Sequence, residues 1–154
     1  MICRLPHVPE LGHDGNFPDP LVLLFGGQRG DWQASAAREL DRIASAVVRS
    51  DSSGETSVIL GLLPDMFQAA DVIVCWAGNG LDNLFLNEWI YLSFMLCRHR
   101  SKIVIGMDRE PDHPMNNGLR FLLDQESIQY QHNVESLIAV ASERCRELRG
   151  INNG

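Results

Sequence analysis

The run Leu21-Val22-Leu23-Leu24-Phe25 is apolar at every position and stops at Gly26-Gly27. A strand with one wet face alternates, so an unbroken run of this length predicts a strand buried on both faces, as in parallel sheets. Val72-Ile73-Val74-Cys75-Trp76, opened by Asp71 and followed by Ala77-Gly78-Asn79-Gly80, repeats the pattern, and Ile103-Val104-Ile105 before Gly106 repeats it again. Between the first two, Asp31 can cap a helix from Trp32, with Ala36, Leu40, Ile43, Ala44 and Val47 at helical spacing.

Val47 to Arg49 is the candidate for another strand. Val58 to Leu63 reads either as a strand or as the start of a short helix through Ala70, with Pro64 marking a boundary. Leu84 to Leu96 predicts a helix with almost no polar face, suited to a central position or a subunit interface. Pro111 to Gly118 reads as a loop, Leu119 to Leu123 as a short helix and Ser127 to Tyr130 as a last strand. The final helix is capped by Asn133, buries Leu137, Ile138, Ala141, Cys145 and Leu148, and stops at Gly150.

Strands alternating with helices predict an α/β fold: a doubly wound, flavodoxin/Rossmann-like parallel sheet of about five strands with helices on both faces. Residues 21–150 form one domain. The proline-bearing stretch 1–20 reads as an irregular N-terminal arm.

Composition narrows the function classes. A net charge of −7 disfavours a nucleic-acid polymer as partner, since phosphate backbones want a basic face. Lys102 is the only lysine among 13 basic residues, which fits either genome composition or recognition of anions by arginine. Four cysteines without C-x-x-C spacing suggest neither a disulfide framework nor a zinc site, and point to a reducing cytoplasm. No apolar stretch reaches the roughly 18 residues of a membrane span. His99 and His113 lack metal spacing, and no cofactor motif occurs: the glycines after Phe25 fit neither a dinucleotide fingerprint nor a P-loop.

Ligands of open parallel sheets bind outside the carboxyl ends of the strands. Candidate substrate-binding residues there are Gly26, Gly27 and Arg29 after the first strand, and Trp76, Gly78 and Gly80 after the second. Each has a plain alternative: an ordinary strand-to-helix turn for the glycines, core packing for Trp76. Glu88 is the only acid between Asn83 and Cys97, in an otherwise apolar helix. A carboxylate in such surroundings is either an exposed exception or a functional acid. Asp82 can cap that helix, and Asp71 can bond to loop amides at the strand start.

Three blocks, Ala70-Asp71-Val72-Ile73-Val74, then Gly80, Asp82 and Glu88-Trp89-Ile90-Tyr91, then Ser101-Lys102-Ile103-Val104-Ile105, resemble the nucleoside 2-deoxyribosyltransferase family. Phe25-Gly26-Gly27, Asp31-Trp32-Gln33 and Asn116-Asn117-Gly118 resemble its deoxyribosyltransferase-like branch, so the likeness spans about residues 21–140. The resemblance implies cleavage or transfer of an N-glycosidic bond, with Glu88 attacking the sugar's anomeric carbon and Asp82 or Asp71 serving the departing base. It also implies Asn117 as a substrate contact, a small-molecule nucleoside or nucleotide as substrate, and a homo-oligomer. Ile90 stands where the family has glycine two residues after its nucleophile. A non-catalytic nucleotide-binding or interaction module on the same fold is the alternative.

Overall fold

The computed structural model describes residues 1–4, 19–26, 32–49, 64–77, 98–107 and 114–152, the side chains of 4, 114–116 and 151–152 aside. Among the described residues six strands form one all-parallel sheet: β1 (Ile2–Arg4), β2 (Leu21–Phe25), β3 (Ala46–Arg49), β4 (Val72–Ala77), β5 (Ile103–Met107) and β6 (Tyr130–Gln131). Their order is β1-β3-β2-β4-β5-β6. The described helices are α1 (Trp32–Leu40), α2 (residues 64–69), α3 (Pro114–Gln125) and α4 (Val134–Asn152), with a short 3-10 helix at Arg100–Lys102 before β5.

Alternate residues of each strand enter two separate cores. Leu21, Leu23, Phe25, Val48, Ile73, Cys75 and Ile105 pack with Met66 and Phe67 of α2 and with Leu119 and Leu123 of α3. Val22, Leu24, Val47, Val72, Val74 and Val104 pack instead with Trp32, Ala36 and Leu40 of α1 and with Leu137, Ala141 and Cys145 of α4. The sheet is therefore doubly wound, and the unbroken apolar runs follow from burial on both faces. Each fully buried Leu, Val or Phe stabilises the fold by about 2 kcal/mol. Phe25 and Phe67 meet edge to face, their ring centroids 5.1 Å apart.

Five of the strands match the expected number, and β1 is the sixth. Residues 2–4 are thus not irregular: they pair with β3, Ile2 opposite Val47. The helix expected to run from Trp32 through Val47 ends at Leu40. The Leu40 carbonyl accepts from both the Ile43 and Ala44 amides at 3.0 Å, and the Ser45 amide then donates to the Pro20 carbonyl, starting β3 beside β2. The β-branched pair Val47-Val48 gains more from the sheet than from another helical turn.

Helix α3 begins at Pro114, inside the expected loop, since proline fits the first turn of a helix. It closes with Ser127 at φ 53, the Ile128 amide donating to the Leu123 carbonyl and the Ser127 amide to that of Asp124. That is a Schellman closure with serine at the left-handed position. Helix α4 does not stop at Gly150 but continues to Asn152. A helical glycine costs about 1 kcal/mol, and the helix runs only two residues past it. At its other end the Asn133 side chain accepts from the Ser136 amide at 2.7 Å, the expected cap. Lys102 donates to the Gln68 and Ala70 carbonyls, closing the carboxyl end of α2. No helix among the described residues is long and apolar enough to cross a membrane.

Candidate functional site

Without its edge strand β1, the sheet reads β3-β2-β4-β5-β6, the flavodoxin-like order. Chain direction reverses at β2: one neighbour, β3, follows it through α1, and the other, β4, leads away to the opposite side. Such a switch point leaves a crevice beyond the carboxyl ends of the two central strands. Here those ends are Phe25-Gly26 and Trp76-Ala77.

Gly26 has φ 92, a left-handed conformation open to glycine. A β-carbon there would lie 2.7 Å from the Trp76 carbonyl oxygen, so glycine lets β2 and β4 end side by side. The Gly26 carbonyl faces α1, where it accepts hydrogen bonds from Trp32 Nε1 at 3.3 Å and Gln33 Nε2 at 3.0 Å. Gln33 is buried, 2% exposed. The first turn of α1 thus holds the turn after β2 through one carbonyl and two side-chain donors. A buried glutamine is costly without partners, so this grip accounts for a polar residue in the core.

Trp76 serves the core. It is 7% exposed, and its ring covers Gly106 so closely that a β-carbon there would come within 2.6 Å of Cε3. Its ring lies against Gly106 of β5, in keeping with the core-packing alternative for this residue.

Asp71 is placed at the opposite end of the molecule from the crevice. Its carboxylate accepts from the Leu21 amide at 2.8 Å, and its own amide donates to the Leu21 carbonyl, tying the amino ends of β4 and β2 together. From there to Ala77 is about 20 Å of extended strand. This is the strand-start alternative expected for Asp71. Asn117 is exposed in the first turn of α3, which follows the carboxyl end of β5. Glu88, Asp82, Gly27, Arg29, Gly78 and Gly80 lie outside the described residues, as does the apolar 84–96 segment.

Arg49, not among the expected site residues, ends β3 at the crevice side of the sheet and is 6% exposed. It stands in register with Leu24 of β2 and with Arg4 of β1. The signal in the sequence was a charge closing an otherwise apolar strand.

Cys145 is fully buried in α4, where burial and then the Asp71 carboxylate push its thiol up to about 11, while Arg146 opposes the rise. Burial likewise raises Cys3. Neither thiol is a nucleophile near neutral pH. Among the described residues no group of three or more His, Cys, Asp or Glu side chains is placed to hold a metal ion. No family model matches the chain, and no curated protein or solved structure matches it either.

Proposed function

We propose that the chain cleaves or transfers the N-glycosidic bond of a nucleoside or nucleotide, using Glu88 as nucleophile and Asp82 at the departing base. The observation that carries this reading is the reversal of strand order between β2 and β4. The segment bearing Asp82 and Glu88 leaves β4 at that point, within a dozen residues of Ala77. A carboxylate suits the task because its glycosyl ester can be opened by water or by a second base. The general acid at the leaving base works best with a raised pKa.

Asp71 is left out of this machinery, being about 20 Å away along β4. Gly26, held by Trp32 and Gln33, shapes the crevice wall rather than contacting substrate through its carbonyl. The reading includes a cytoplasmic homo-oligomer with the apolar 84–96 stretch at the subunit contact.

Ile90 favours a second reading, a nucleotide-binding module without turnover, because it fills a position where the resembled family has glycine. Incubation with a panel of nucleosides and nucleoside monophosphates, followed by chromatography for free base, separates the two. Release that disappears in Glu88→Ala supports the enzyme. Ligand-induced thermal stabilisation with no base release, unchanged in Glu88→Ala, supports the binder.

A further inference from the structure

We infer that the outer edge of β6, with the groove beside it, docks an extended basic peptide as an added edge strand. The crevice at β2 and β4 is separated from this edge by β5, so the surface is independent of the proposed activity.

β6 pairs with β5, Tyr130 opposite Ile105 and Gln131 opposite Gly106, and no other strand lies against it among the described residues. The edge of a sheet offers unpaired amides and carbonyls, and proteins ordinarily guard it with charge or proline. From Ser127 to Asn133 the chain carries no Asp, Glu, Lys, Arg or Pro. This edge is unguarded.

A groove of about 510 Å³ opens at the same segment, lined by Leu123 and Asp124 from the end of α3 and by residues of the β6 stretch. Ile128 and Tyr130 are half-buried against the core on the face that α3 covers. Tyr130 is held from two directions. Its hydroxyl donates to Asp124 Oδ1 at 3.2 Å, and its ring meets that of His132 edge to face at 5.3 Å. A wall already ordered loses little further entropy when a peptide arrives.

Charge chooses the occupant. Asp124 brings a carboxylate to the groove, and no lysine or arginine lines it. A carboxylate that accepts one bond from Tyr130 keeps lone pairs for a cation. On a strand laid beside β6, every second side chain points to the α3 face. A lysine or arginine there can rest its stem on Ile128 and Tyr130 and bring its head group to Asp124. A second copy presenting the same edge brings another Asp124 and no cation, so it matches poorly.

The full-length chain is titrated into dye-labelled octapeptides and followed by fluorescence anisotropy. One peptide alternates lysine with threonine and another glutamate with threonine; two more are the lysine peptide N-methylated at its lysines or at its threonines. The lysine peptide should bind at least about tenfold more tightly than the glutamate peptide. One N-methylated form should lose about tenfold or more and the other less than about threefold, because an edge pairs with every second residue. Asp124→Asn, which keeps an acceptor for Tyr130, should weaken the lysine peptide about threefold. No saturable binding below about 1 mM overturns the docking edge. So do N-methylated forms that bind as well as the parent, or an affinity unchanged in Asp124→Asn, since either means diffuse attraction to an acidic protein. A dimer in sedimentation that Gln129→Lys breaks would give the edge to a second copy and is equally fatal.

Discussion

The ring of Trp76 occupies the space that a side chain on Gly106 would need, with 2.6 Å between Cε3 and the position of a β-carbon. One strand's largest residue is seated on its neighbour's smallest. Gly106→Ala should therefore cost about 2 kcal/mol, in the range for overpacking a tight core. In a Trp76→Leu background the same alanine should cost less than about 1 kcal/mol, because the obstacle is gone. Urea unfolding of the four proteins gives the coupling directly; equal costs in both backgrounds would contradict this packing.

Gly26→Ala meets two obstacles together. Its φ of 92 is a strained conformation for alanine, and the added carbon would sit 2.7 Å from a backbone oxygen that cannot swing aside. A loss of about 3 kcal/mol or more is expected. In thermal melts it should be the more damaging of the two glycine substitutions.

Asp71 gives a prediction that separates structure from chemistry. Asp71→Ala leaves the Leu21 amide without its side-chain acceptor and should cost about 1–3 kcal/mol. Asp71→Asn retains an acceptor oxygen and should recover most of that loss. If base release is found, kcat/KM of Asp71→Asn should stay within about twofold of wild type, whereas Asp82→Asn should fall far below it. A large fall in Asp71→Asn with stability intact would put Asp71 back into the reaction.

Cys145 sets a limit on the alkaline side. Its thiol stays protonated in the folded chain up to about 11, against an ordinary value of 9.0. Below pH 9 both states hold the proton and this group adds no pH dependence. Between pH 9 and 11 the unfolded chain ionises first, so stability falls by roughly 2–3 kcal/mol as pH rises through that window. Cys145→Ala should flatten this part of the curve, and the wild-type thiol should resist alkylation until the chain unfolds.

Ser127 offers a gain. A serine at φ 53 in a Schellman closure carries a steric penalty that glycine avoids, and the residue is exposed. Ser127→Gly should stabilise by about 1 kcal/mol, or roughly 3 °C in Tm. No change in Tm would mean the serine side chain repays its own strain.

The central strands were legible in the sequence because burial on both faces removes the polar positions that blur other elements; Leu21–Phe25 is an example. Ile2–Arg4 was not, since a three-residue edge strand has too short a pattern to stand out beside four nearby prolines. The end of α1 was misjudged because Ile43, Ala44 and Val47 keep helical spacing while burying themselves through a turn and a strand. At the end of β2, the glycine after Phe25 takes the left-handed turn that its residue type allows. Sequence could not say that Trp76 would be spent on Gly106, or that Asp71 would bind an amide of β2, because both facts depend on strand pairing. For Arg49 and Gln33 the same holds: their burial, 6% and 2% exposed, follows from tertiary packing and not from residue identity.

Strand β1 also sets a schedule for synthesis. Its one neighbour among the described strands is β3, and Ile2 faces Val47 some forty-five positions later. At the usual pace of translation, β1 must wait roughly two to nine seconds before its partner is made. Docking β1 is therefore a late event, closing a long loop onto a sheet already begun by β2 and β3. A slow phase that disappears when residues 1–4 are deleted would be its kinetic signature, and during that wait the outer edge of β3 is open to any other strand that reaches it first.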